Sequence, residues 1–195
     1  MKPFLSLVVP CYNSGEYIER LLQSVVDCNM PDIQVILADD CSPINYDEHV
    51  DKFRDKLNIL QCKTEKNSGN PTNARELGAS LAEGIYLTFM DHDDWMIPEG
   101  LQKWRELVAE MKYPDYIICG FRQCNTAGET EFEKYGCLDF LHGKFFKLEE
   151  FYRKCNIHFK SDIFHKEDTW VCAQASCNCI KYDITPVFTD FCTYV

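Results

Sequence analysis

Two apolar runs that end abruptly in acid constrain this chain more than any other feature of its sequence. Gln34-Val35-Ile36-Leu37-Ala38 passes directly into Asp39-Asp40-Cys41-Ser42-Pro43, and Ile85-Tyr86-Leu87-Thr88-Phe89-Met90 into Asp91-His92-Asp93-Asp94. Short apolar runs bounded by turn-forming residues read as strands buried on both faces of a parallel sheet. Phe4-Leu5-Ser6-Leu7-Val8-Val9-Pro10 and residues 57–61 read the same way, and Asp115-Tyr116-Ile117-Ile118-Cys119-Gly120 reads as one more strand. Between these runs the apolar spacing turns helical. Ile18, Leu21, Leu22, Val25 and Val26 make one face behind the Asn13-Ser14-Gly15 start signal, and helices are expected over residues 48–56 and 72–83. Pro98 opens a further helix with Leu101, Trp104, Leu107 and Val108 on one side. A βαβαβαβα alternation dictates a mostly parallel central sheet with helices on both faces. Ligands of such sheets bind beyond the carboxyl ends of the strands, so both acidic segments are expected at one functional edge.

The 195 residues suit one domain with a sizeable core. Strand regularity fades near residue 115, with a polar turn expected at residues 125–128, and no repeat or low-complexity segment stands out. A formal charge of -11 argues against a broad grip on nucleic acid, which needs clustered Lys and Arg. No run approaches the roughly 20 apolar residues of a membrane-spanning helix, and the N-terminus reaches Pro10 and polar residues too soon for a signal peptide. The expected location is cytoplasmic. The 12 cysteines are scattered and read as reduced, buried thiols. Cys172, Cys177, Cys179, Cys192 and His165 form the densest cluster, but C-x4-C-x-C lacks the paired C-x2-C spacing of most structural zinc sites.

Four motifs now meet in order: Val8-Val9-Pro10-Cys11-Tyr12-Asn13; Ala38-Asp39-Asp40-Cys41-Ser42; Asn67-x-Gly69-x-Pro71-x-x-Ala74-Arg75-Glu76-x-Gly78; and Ala82-x-Gly84-x-Tyr86 through Asp91-His92-Asp93-Asp94-Trp95. Together they resemble the family 2 inverting glycosyltransferases of the GT-A fold, of the bacterial cell-surface polysaccharide type. The resemblance covers residues 4–100, and a weaker match through Gly143-Lys144-Phe145-Phe146 and Glu167-Asp168 carries it to about residue 172. It implies an α/β GT-A fold, Rossmann-like, as in nucleotide-diphospho-sugar transferases. Residues 1–115 would form the nucleotide-sugar-binding half and residues 116–195 the half that binds the acceptor and carries the catalytic base. The implied reaction is metal-assisted transfer of a hexose, with inversion, from a nucleotide-diphosphate donor, a UDP-sugar, to a hydroxyl of a glycan or lipid-linked glycan. Peripheral association with the inner face of the membrane would suit such an acceptor.

The residues also carry this chemistry on their own terms. A chain with few basic residues to spare can hold a diphosphate through a divalent cation bound by carboxylates. Asp91-His92-Asp93, on a turn after a strand, supplies that pair. The resemblance makes Asp93 the Mn2+ or Mg2+ ligand and sets Asp91 on the ribose or on a metal-bound water, while Asp94 reads as a cap for the helix at Pro98. It places Asp39 on the N–H of uracil, with a structural turn as the competing role. Pro10, Tyr12 and Asn13 would line the other side of the base, with simple packing as the competing role of Tyr12. Arg75 corresponds to an arginine near base and phosphates, or serves an ordinary salt bridge. Inversion needs a base for the acceptor hydroxyl. The resemblance assigns it to Asp168 of the Glu167-Asp168 pair, which also suits a helix first turn.

Departures from the pattern are Cys41 and His92, neither a predicted ligand, and an end at Val195 soon after the Glu167-Asp168 element. The chain therefore reads as a compact family version or as one cut short. A nucleotidyltransferase is a same-fold rival, but it needs a Gly-rich basic loop after the first strand, which Pro10-Cys11-Tyr12-Asn13-Ser14-Gly15 does not resemble. A catalytically inactive carbohydrate- or nucleotide-binding protein is the non-enzymatic rival.

Overall fold

The apolar runs pair as a parallel sheet must. The computed structural model describes residues 2–114, 116–125, 128–134, 144–147 and 187–195. Through the first half, β1 (Leu5–Cys11), α1 (Tyr17–Asp27), β2 (Ile33–Asp39), α2 (Asp47–Asp51), β3 (Asn58–Lys63), α3 (Thr72–Ser80), β4 (Tyr86–Phe89) and α4 (Pro98–Glu110) alternate. The remaining described elements are β5 (Tyr116–Cys124), β6 (Thr130–Lys134), β7 (Lys144–Lys147) and β8 (Val187–Tyr194). The sheet order is β3-β2-β1-β4-β7-β5-β6, with β8 against β5. β3, β2, β1 and β4 are mutually parallel. β7 breaks that pattern by running antiparallel to both β4 and β5.

Every residue of β1 and β2 is buried, because helices cover both faces. Odd positions, Leu5, Leu7, Val9, Val35 and Leu37, join Ile18, Leu21, Leu22 and Val25 of α1 and Leu101, Trp104 and Val108 of α4 in the main core. Even positions meet α3 at very close range. A Cβ on Gly78 would stand 2.5 Å from Val8 Cγ1 and 3.3 Å from Ala38 Cβ, so only glycine lets α3 lie this near the sheet. Trp104, fully buried, stacks on Phe145 at 4.3 Å and meets Phe4 and Tyr86 edge-on at 5.4 Å each. This aromatic block ties α4 to β4 and β7.

Two helices are shorter than their spacing predicts. α2 stops at Asp51 instead of 56, because Phe53 and Lys56 take i→i+3 turns, to Val50 and Phe53, that swing the chain into β3. α3 stops at Ser80 instead of 83. There the main-chain N–H groups of Glu83 and Gly84 donate to Gln34 Oε1 at 3.0 Å and to Ser6 Oγ at 2.9 Å, and so leave the helix to satisfy a buried polar pair. The expected strand appears as β5, which runs on to Cys124, and between β5 and β6 the Gly128 N–H donates to Asn125 O at 2.9 Å. Among the described residues no helix is long and apolar enough to cross a membrane.

Candidate active site

The strand order reverses between β1 and β4, and at that point the carboxyl ends of four parallel strands surround a cleft of about 360 Å³. β1 contributes Pro10, Cys11 and Tyr12, the end of β2 contributes Asp40, and the loop after β3 contributes Asn67, Gly69, Asn70 and Pro71. The turn after β4 contributes Asp91, His92 and Asp93. Local hydrogen bonds fix each edge. Met90 N–H extends the β4 ladder onto Val8 O at 3.1 Å, and Asp94 N–H closes the acidic turn on Asp91 O at 3.2 Å. Arg20 of α1 donates to the main-chain oxygen of Asp93 and lays its guanidinium over the Trp95 ring at 4.1 Å. Downstream, Trp95 and Val195 exchange main-chain hydrogen bonds at 2.9 and 2.8 Å, so the end of β8 braces the same segment.

The two adjacent acids of β2 separate. Asp39 is still in the ladder, opposite Cys11 and Lys63. Its carboxylate accepts from the Ser42 N–H at 3.0 Å and from the Ser42 hydroxyl, and pairs with Lys63 Nζ at 3.1 Å. It lines a neighbouring hollow with Tyr46 and Cys62, not the cleft that holds Asp91 and Asp93. The sequence reading set Asp39 beside the base; of the two acids, the one that lines the cleft with Asp91 and Asp93 is Asp40. Asp40 accepts from Ser68 N–H at 2.8 Å, Ser68 Oγ at 2.9 Å and Thr64 Oγ1 at 3.1 Å, which pins the loop carrying Asn67 and Asn70. Strand parity was the missed signal: even positions of β2 face the α3 side, and the cleft lies on that side.

Pro10 and Tyr12 line the cleft, with Tyr12 44% exposed. Asn13 does not line it. This residue is left-handed, with φ 52°, and its N–H donates to Ser42 Oγ at 3.0 Å, so its visible work is joining the β1 and β2 turns. Arg75 lies beneath the cleft, only 2% exposed, with Nη2 2.8 Å from Asp91 Oδ1. The guanidinium, itself buried, thus grips a partly exposed carboxylate of the cleft wall. Asp168 and the cluster at residues 165–179 lie outside the described residues.

The donor set suits a hard divalent cation. Such ions take oxygen ligands, and Mg2+ is commonly held by one or two carboxylates together with substrate phosphates. Asp93 is exposed and Asp91 partly so on one turn. Among the described residues no group of three His, Cys, Asp or Glu side chains gathers that could hold a metal ion. Under the cleft, burial pushes the Cys11 thiol up to about 12, and burial followed by the charges of Cys11 and Asp39 pushes the Tyr46 phenol up as well. Cys28, also buried, is raised to about 12. These groups stay neutral, as expected of inert buried thiols, and no disulfide joins the described cysteines to one another.

Comparison with known proteins agrees with this geometry. The family model for glycosyl transferase family 2 matches residues 6–165. Poly(ribitol-phosphate) beta-N-acetylglucosaminyltransferase TarS of Staphylococcus aureus is 34% identical over 125 residues, 63% of this chain and 22% of that protein. Glycosyltransferase GlyG of Streptococcus pneumoniae is 34% identical over 118 residues, 60% of this chain and 39% of GlyG. The crystal structure of S. aureus TarS 1-349 in complex with UDP-GlcNAc superposes with a TM-score of 0.82 at 26% identity, covering 98% of this chain and 57% of that one. The matched stretch therefore spans well under half the length of TarS and of GlyG.

Proposed function

Because the chain belongs to glycosyl transferase family 2 and has its GT-A α/β fold, we propose that it transfers a sugar from a UDP-linked donor to a hydroxyl of a glycan or lipid-linked glycan, with inversion. The observation that carries this reading is the convergence of Pro10, Tyr12, Asp40, Asp91 and Asp93 on one cleft at the switch point of the sheet. The solved relative in complex with UDP-GlcNAc supports a uridine donor.

In this reading Asp40 accepts the imide N–H of the base, while Pro10 and Tyr12 flank its ring. Asp91, steadied by Arg75, takes the ribose hydroxyls, and Asp93 holds Mn2+ or Mg2+ against the diphosphate. A cation there supplies charge neutralisation for the departing diphosphate. Asp168 takes the proton of the accepting hydroxyl, and the oxygen so activated attacks the anomeric carbon from the face opposite the leaving group. The site works beside nucleotide sugars in the cytoplasm, at the inner membrane face when the acceptor is lipid-linked.

Titration of UDP into Asp40→Asn and Asp39→Asn variants tests the assignment. Asp40→Asn should weaken UDP by roughly tenfold, the loss expected when a hydrogen bond to a charged group goes, and Asp39→Asn by less. The reverse order would return the base to Asp39. Donor bound but never consumed with any acceptor would favour an inactive binding protein.

A further inference from the structure

A second cleft, about 840 Å³, opens on the other side of the acidic turn. Asp91 and Asp93 form the wall it shares with the nucleotide cleft, Trp95 its floor, and the β5–β6 hairpin its far side through Phe121, Arg122 and Phe132. Arg20 lines this cleft and not the nucleotide cleft. Its guanidinium is already oriented, stacked on Trp95 at 4.1 Å and donating to the Asp93 carbonyl, yet among the described residues no carboxylate pairs with it. That is unexpected in a chain with 31 acidic and 20 basic residues. The neighbouring cations are differently placed: Arg75 is bound to Asp91 and Arg122 to Glu133. A planar guanidinium with its charge left over, held in place before any ligand arrives, is a fork for an oxyanion. The acidic wall stands between it and the base, so the oxyanion reaches it from the second cleft.

We propose that the second cleft receives an anionic acceptor, whose phosphate or carboxylate pairs with Arg20 while its carbon skeleton lies against Trp95 and Phe132. This rests on the glycosyltransferase reading, in which the first cleft belongs to the donor. Phe132 is 45% exposed at the rim, and an apolar wall with a few convergent polar groups is the usual make-up of a small-molecule or oligomer site.

Calorimetric titration at low salt with three oligomers of matched length tests it: a glycerol phosphate oligomer, an oligogalacturonate and a neutral maltooligosaccharide. One of the two anionic oligomers should bind roughly tenfold tighter than the neutral one, by the strength of a charged hydrogen bond, and added NaCl should erode the difference. The winner identifies phosphate or carboxylate as the anion. Arg20→Gln should remove the preference, Arg20→Lys should keep part of it, and any loss of UDP through the Asp93 turn that Arg20 braces should be smaller than the loss of the anionic oligomer. Equal affinity for the three oligomers, no binding of any, or a preference that survives Arg20→Gln overturns the proposal. So does an Arg20→Gln variant that loses UDP as strongly as it loses the oligomer, since Arg20 would then serve the donor. The underlying reading fails separately, by absence of UDP binding to the unaltered protein.

Discussion

Arg75 offers the sharpest division between touching the nucleotide and acting through another residue. Replacing it with Met keeps most of the volume of a side chain that is 3% exposed but removes the hydrogen bond to Asp91 at 2.8 Å. A hydrogen bond to a charged group contributes about 1.5–3 kcal/mol. The Asp91 side chain is 37% exposed, so solvent screening brings the expected loss to about 1–2 kcal/mol. In UDP affinity that is roughly five- to thirtyfold. The assay is a double-mutant cycle: UDP dissociation constants, with Mn2+ present, for the parent, Arg75→Met, Asp91→Ala and the double variant, with urea unfolding of each to establish that it is folded. If Arg75 acts only by holding Asp91, the double variant binds UDP as Asp91→Ala does, within the roughly 0.5 kcal/mol scatter of such cycles. If Arg75→Met adds its full loss on top of Asp91→Ala, the guanidinium contacts the nucleotide directly and the positioning argument is refuted.

Gly78→Ala should destabilise the fold by about 1–3 kcal/mol through overpacking, despite the better helix propensity of Ala, and Val8→Ala in the same chain should recover part of that loss in urea unfolding. A Gly78→Ala variant as stable as the parent would mean that α3 can move off the sheet freely. Arg105 grips Asp32 through two hydrogen bonds of 2.7 and 2.6 Å and holds its carboxyl below the ordinary 3.8. A depressed folded-state pKa contributes stability above 3.8 that is lost as pH falls through the folded value. Asp32→Asn should therefore be less stable than the parent at pH 7, by up to about 1 kcal/mol for so exposed a pair, and the gap should close below pH 3.8. A gap independent of pH would assign the loss to something other than this ion pair.

The parallel half of the sheet was legible because strands covered on both faces are mostly apolar, and β1, β2 and β4 are buried at every position with few polar residues among them. The acids were legible as the point where each apolar run stops, although Asp39 itself stays in the ladder. The later strands were not. β6 is Thr-Glu-Phe-Glu-Lys, exposed at every position, and β7 has four residues, so neither gives a periodic signal before its partner is known. Which of Asp39 and Asp40 faces the cleft depends on where the ladder stops. The register with Cys11 and Lys63 keeps Asp39 in the sheet, turns its carboxylate toward Ser42, and leaves Asp40 to the loop of Ser68. Arg75 was visible as a guanidinium near the site, but a helix position alone does not tell a buried contact from an open one, and Gly78 decides it by bringing α3 against Val8. Arg20 carried no signal of its own, because its role comes from the fold of α1 against a turn 73 residues away.

The central claim is a nucleotide site whose metal-dependent half is Asp93. Calorimetric titration of UDP with and without Mn2+, on the unaltered protein and on Asp93→Ala, tests it most directly. Mn2+ should strengthen UDP binding in the unaltered protein and make no difference in the variant. UDP binding that is the same with and without Mn2+ in both proteins, or an Asp93→Ala variant that keeps the full effect of Mn2+, would contradict it.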